Sequence, residues 1–256
     1  MAGELAVDVA NGQPAWATLV RAANPGPMTL DGTNSWVLRP AGGAGCLIVD
    51  PGPLEEPHLR ALAGYGPVDG ILLTHGHPDH VEGLDRLVEL TGAPVVEDAP
   101  GVARMATPGH TADSACFFVN WDGQPAVLTG DTILGRGTTV VAYPDGDLAE
   151  YLSSLRRLAG LGALPVLPGH GPVLPDCASA ARDYLHHRRM RLDQVREAVA
   201  AGATTPRAVV EIVYADVDRA VWPAAELTVA AQLAYLADTG VPEAESPPPD
   251  VRWDTP

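Results

Sequence analysis

The chain contains no lysine: all sixteen of its basic residues are arginine, set against thirty-two acidic residues, for a formal charge of −16 and a pI of about 4.7. So acidic a balance argues against a broad phosphate-tracking surface. A local cationic pocket is still compatible with it, and metal ions would supply one. Cysteine is scarce: Cys46, Cys116 and Cys177 are widely spaced, odd in number and form no CxxC pair. Cys46 and Cys116 adjoin apolar runs and read as buried thiols rather than ligands. No apolar run approaches the roughly 20 residues of a membrane-spanning helix. The first residues, Met-Ala-Gly-Glu-Leu-Ala-Val-Asp, lack the basic region and long apolar core of a signal peptide. These absences together predict a cytoplasmic protein in a reducing compartment with no membrane partner.

What is present is ordinary for a globular chain: 256 residues and 46% hydrophobic content, enough for one large domain or one domain plus a small appendage. Short apolar runs at 16–20, 34–38, 46–49, 71–73, 93–96, 115–121, 126–128 and 165–167 read as strands. Helical patterns fall at 55–63, after Pro78, and at 148–158. Strands alternate with helices in part of the chain and follow one another as meanders elsewhere, which predicts mixed sheets with helices outside. After Pro175 the texture becomes helical: 176–200, then a helix opened by Thr205-Pro206, then 224–238 ended by Gly240. A Pro-rich stretch at 246–250 reads as a loose tail.

The densest chemistry is Thr74-His75-Gly76-His77-Pro78-Asp79-His80, which follows the run Ile71-Leu72-Leu73. Pro78 allows a helix to begin there but hardly earlier, with Val81, Leu84, Leu87 and Val88 on its apolar face. Three imidazoles and a carboxylate in one tight loop are the ligand types of a zinc-like site, and they could serve two ions. Three more positions repeat the pattern of an apolar segment and then a glycine beside a polar residue: His110, Asp131 and His170. Ligands at strand ends collect along one rim of a sheet sandwich. One such residue is weak grounds for a site; four such loops together are strong.

These residues resemble the metallo-β-lactamase superfamily. The HxHxDH motif stands as His75, His77, Asp79 and His80, and later motifs as Gly109-His110-Thr111, Thr129-Gly130-Asp131 and Gly169-His170-Gly171. The resemblance implies an α/β fold, a four-layer αββα sandwich, with residues 1–175 as the catalytic domain and 176–256 as a small C-terminal helical, winged-helix-like domain. It implies that His75, His77 and His110 hold one metal, that Asp79, His80 and His170 hold the second, and that Asp131 bridges them. Asp50 matches the aspartate that supports the metal loop. The cofactors implied are two divalent ions, with zinc favoured by the ligand set and iron and manganese accepting the same set. Such a centre lowers the pKa of a bridging water so that hydroxide is available near neutrality. Asp79 is the candidate catalytic residue, taking the nucleophile's proton and passing it to the leaving group.

Within the superfamily, a bridging Asp131 is similar to thioesterases of glyoxalase II type and to phosphodiesterases. Residues 24–34, Gly135-Arg-Gly-Thr-Thr139 and His187-Arg188-x-x-Arg191 resemble the LACTB2-like subgroup of endoribonuclease-like proteins. The expected function is therefore a metal-dependent hydrolase acting on single-stranded RNA; the alternatives are thioesterase action on a small molecule and a weak β-lactamase activity. The helix at 224–238 carries no Lys or Arg and two acids, Glu226 and Asp238, so no DNA groove binding is expected. The oligomeric state stays open. Thr33, Asn34, Trp36 and Tyr143 are read as loop packing in preference to cleft lining. His186 and His187 are read as exposed.

Overall fold

The computed structural model describes residues 12–239; Gly240 and the Pro-rich stretch lie outside the described residues. Side chains alternate along each strand, so a strand buried on both faces feeds two cores. Strands β1 (Ala17–Arg21), β2 (Asn34–Leu38), β3 (Cys46–Val49) and β4 (Val68–Leu72) make one sheet in that order. Strands β5 (Val102–Ala106), β6 (Ala115–Trp121), β7 (Gln124–Gly130) and β8 (Val166–Pro168) make the second. In each sheet the first two pairings are antiparallel and the last is parallel. Trp36, Leu38, Val49 and Leu72 meet Phe117, Val119, Leu128 and Leu167 between the sheets.

The outer faces are covered by helices. Val37, Ile48 and Ile71 pack under α1 (Glu56–Ala63) and α3 (Leu84–Thr91) through Leu59, Leu62 and Leu87. Cys116, Val127 and Val166 pack under α4 (Leu148–Ala159) and the first half of α5 (Cys177–Ala200). This is the four-layer αββα sandwich. The second half of α5 turns to a separate cluster, where Val195 and Ala198 meet Val209 and Val210 of α6 (Pro206–Val213) and Trp222 and Val229 of α7 (Trp222–Thr239). The boundary drawn after residue 175 thus falls where Asp176 caps a helix that serves both parts.

Helices α4, α5 and α6 each start on a side-chain cap. Asp147 accepts from the Glu150 N–H at 2.8 Å, Asp176 from Ser179 N–H at 2.9 Å, and Thr205 from Ala208 N–H at 3.1 Å. Removing the cap of α4 by Asp147→Ala is expected to cost about 1 kcal/mol in urea denaturation, and a loss under about 0.3 kcal/mol would show that the cap contributes little.

Three secondary-structure elements depart most from the sequence reading. Residues 93–96 form no strand but a single bridge of Val95 to Ile71, because Pro94 has no N–H to donate and Val95 is half exposed. Strand β5 was not expected: Arg104 and the exposed Ala103 and Ala106 break its apolar pattern, so pairing with β6 alone defines it. The helix after the ligand loop comes in two pieces, α2 (Pro78–Val81) and α3. The break lies at Gly83, whose N–H donates to Gly52 O at 2.9 Å and where a Cβ would press on Leu59 and the Pro53 carbonyl.

Candidate metal centre

Parallel neighbours end on the same side, and the ends of β3, β4, β7 and β8 place Asp50, the 74–80 loop, Asp131 and His170 along one rim. The turn from β5 to β6 adds His110. All seven candidate ligands meet there. The His75 Nε2 and His110 Nε2 atoms each lie 3.1 Å from His77 Nδ1. His170 Nε2 is 3.2 Å from His80 Nε2 and 3.1 Å from Asp79 Oδ2. The carboxylate of Asp131 spans both groups: Oδ1 is 3.4 Å from the Nε2 atoms of His80 and His170, and Oδ2 is 3.7 Å from His110 Nε2. Three overlapping sets result, His75/His77/His110, His75/His80/Asp131 and Asp79/His80/His170, each with its ligand atoms within 4.8 Å of one another.

The outward ring nitrogens show how the cluster is oriented. His80 Nδ1 donates to Asp50 Oδ2 at 2.8 Å, and His110 Nδ1 to Val140 O at 2.6 Å. Asp50 also accepts from Thr74 N–H at 2.8 Å and Thr74 Oγ1–H at 2.6 Å. With its proton so committed, Thr74 Oγ1 accepts from His75 Nδ1 at 3.0 Å. One buried carboxylate thereby aligns His75 and His80. Donation outward leaves the inward nitrogens as lone pairs, the arrangement a metal ligand needs. Asn34 pins the His170 loop by donating to Pro168 O at 3.0 Å and Gly171 O at 2.9 Å, while Trp36 Nε1 donates to Pro168 O at 3.1 Å.

Close packing of the rim uses glycine where a side chain has no room. A Cβ on Gly169 would fall 2.7 Å from His80 Cε1 and 2.8 Å from Asp131 Oδ1. Gly130 lies at φ +48°, and a Cβ there would fall 2.5 Å from Thr74 Oγ1.

The donor set fits cations. Inward lone pairs 3.1–3.2 Å apart repel unless positive charge sits among them, and Asp131 Oδ1 is a buried oxygen with no hydrogen-bond partner. The buried carboxylates draw positive charge to the same place, as protons on the imidazoles or as metal ions. Burial favours the neutral Asp131 carboxyl, but His80 and His170 override it and hold the group well below the usual carboxylate range. Against burial, Asp131 and Asp50 raise His80, and Asp131 with Asp79 pushes His170 up to about 9. His75 is driven well down by burial and then by His80.

A cleft of about 400 Å³ opens from His110 and Asp131 to the C-terminal helices, reaching His187, Arg188 and Arg191 of α5, Tyr214, and Thr228 of α7. Both helices grip the segment that orients His110. Arg188 donates to Thr139 O, and Thr228 Oγ1 accepts from Val141 N–H at 3.2 Å. His187 is half-buried on the cleft wall, whereas the sequence reading had it exposed; α5 docks along the sandwich and turns this edge inward. His186 is exposed, as expected. Thr33, Asn34 and Trp36 are buried as packing and Tyr143 is exposed. Arg136 lines the rim of the cleft but pairs with Asp31. His187 and Arg191 are four apart and Arg188 and Arg191 three apart, so they neighbour one another on the helix, but nothing in the sequence says which edge turns inward.

The sequence profile of the metallo-beta-lactamase superfamily matches residues 28–100 and 95–170, and that of the beta-lactamase associated winged helix domain matches 205–246. The chain belongs to the metallo-beta-lactamase superfamily and is a metal-dependent hydrolase. Within it the chain is LACTB2-like: it is 32% identical to Beta-lactamase-like protein 2 homolog of Caenorhabditis elegans, over 88% of this chain and 85% of that one. It is also 32% identical to an atrochrysone carboxyl ACP thioesterase of Aspergillus fumigatus, over 69% of this chain and 62% of that protein. A beta-lactamase domain protein from Burkholderia ambifaria shares the fold, with a TM-score of 0.71 at 22% identity over 88% of this chain and 86% of its own. Among the described residues no helix is long and apolar enough to cross a membrane.

Proposed function

We propose that the chain is a dinuclear hydrolase in which His75, His77 and His110 hold one divalent ion, Asp79, His80 and His170 hold the other, and Asp131 bridges them. Zinc suits this nitrogen and carboxylate set, with iron and manganese as substitutes. The observation that carries the reading is the two-sided Asp131 carboxylate, one oxygen toward His80 and His170 and the other toward His110. When bound, such ions acidify a water near neutrality and polarise the bond to be broken.

The chain's own residues do the rest. Asp50 and Val140 O keep the imidazole lone pairs inward. Asp79 is the least buried ligand carboxylate, with its side chain 29% exposed, and its Oδ2 faces His170. It is thus placed to accept a proton at the open side and return it to a leaving group.

The substrate on this reading is a small ester or thioester. Apolar residues such as Leu30, Leu134, Val140 and Val217 line much of the cleft, and a chain of net charge −16 disfavours a polyanion. Single-stranded RNA is the second reading, favoured by Arg188 and Arg191 in the same cleft. Turnover of an acyl thioester and of a labelled single-stranded RNA by the wild type and by Asp131→Asn, prepared identically, separates them. Thioester hydrolysis by the wild type with RNA left intact is the expected result. RNA cleavage by the wild type alone supports the second reading; equal cleavage by both proteins marks a contaminant.

A further inference from the structure

A guanidinium sits in the cleft wall without a counter-charge. Arg188 is 3% exposed, the only buried basic side chain besides histidine among the described residues. Its contacts are the Thr139 carbonyl and the Tyr151 ring, 5.2 Å from the guanidinium carbon, and its Nε has no hydrogen-bond partner. No carboxylate among the described residues pairs with it. Less buried arginines such as Arg86, Arg196 and Arg207 do pair with acids in this acid-rich chain. One turn on, half-buried Arg191 stacks 4.7 Å over Tyr214 and donates to Val213 O and Gln194 Oε1, again with no carboxylate. On the same cleft wall His187 presents a buried Nδ1 with no partner, and burial followed by the two arginines lowers its pKa to about 4, so the ring is neutral near pH 7. All three line the cleft whose other end is Asp131 and His110.

Burying a charge without a partner is costly, and a guanidinium is the side chain best matched to an oxyanion. We infer that His187, Arg188 and Arg191 form an anion-binding subsite for a carboxylate or phosphate group carried by a small, otherwise apolar substrate. The placing of the substrate's reacting bond at the Asp131 end rests on the proposed function; the subsite itself does not. The C-terminal helices on this view select substrate, since α5 supplies all three groups and Tyr214 completes the wall.

The test is calorimetric binding of hexanoate, hexyl phosphate and the neutral control hexanol to the full chain treated with chelator and verified as folded by circular dichroism. At least one anion is expected to bind about tenfold or more tightly than hexanol, and the tighter of the two names the preferred group. Arg188→Met and Arg191→Met should each weaken that anion about tenfold and leave hexanol binding little changed. Arg191→Met serves if Arg188→Met, which also loses the Thr139 contact, does not fold. Hexanol binding as well as both anions, or anion binding indifferent to the substitutions, overturns the subsite. A single-stranded oligonucleotide that binds more tightly than either anion with the same arginine dependence overturns the small-substrate assignment. Because binding is read without metal, anion binding with no ester hydrolysis sinks the functional reading alone, and hydrolysis without anion binding sinks the subsite alone.

Discussion

Asp131→Asn is expected to lower kcat/KM at least about a hundredfold, which is about 2.7 kcal/mol or more in the barrier. The substitution keeps the shape of the side chain and removes its charge. Asp131 is the one carboxylate that reaches both halves of the cluster, with Oδ1 toward His80 and His170 and Oδ2 toward His110. An amide offers a single oxygen acceptor and puts an NH₂ where the other oxygen stood, against an imidazole lone pair or a cation. The second ion should therefore be lost along with the rate. Steady-state kinetics and metal analysis on the same preparation check both. Wild-type kinetics with both ions retained would exclude a bridging role.

Asp50→Ala should damage the site from behind. Asp50 touches no substrate path; it is 1% exposed and accepts three hydrogen bonds, two from Thr74 and one from His80 Nδ1. Its removal strands buried donors, at about 1–3 kcal/mol each where nothing replaces the partner. It also frees the His80 ring directly and the His75 ring through Thr74 Oγ1. Loss of such orienting partners lowers metal affinity about 10–100-fold. Asp50 lies at φ +54°, a conformation Asn tolerates, so Asp50→Asn separates the two effects. It should keep more of the stability while still weakening metal binding. Competition with a chromophoric chelator reads the affinity and denaturant titration the stability. Unchanged metal affinity in Asp50→Ala would show that the aspartate supports the fold only.

The meeting of the candidate ligands was legible in the sequence because they cluster in short loops after apolar runs. The 74–80 loop carries four of the seven candidates, and glycines beside His110, Asp131 and His170 marked the other loops. Strands β2, β3 and β6 were bounded by polar or turn residues sharply enough to be read to the residue. Strand β5 was not, since its identity comes from pairing with β6 and not from its own pattern. The split between α2 and α3 depends on Gly83 meeting Gly52, a contact made by residues thirty-one positions apart. The cleft was illegible for the same reason. Arg188 and His187 lie on a helix of weak amphipathic pattern, and which edge faces inward is decided by how α5 docks on α4 and the second sheet. The roles of the Thr74 hydroxyl and the Val140 carbonyl likewise exist only once the rim is assembled.

Metal stoichiometry tests the dinuclear reading most directly. The full chain, loaded with zinc, iron or manganese in turn and dialysed, would be analysed for bound metal and assayed as ions are withdrawn by chelator. Two ions per chain are expected, with activity lost as the ions leave and the melting temperature falling with them, because bound metal favours the folded state. His80→Ala and His170→Ala should each hold fewer ions and lose activity. A single ion per chain at full activity, with His80 and His170 dispensable, would contradict a dinuclear centre.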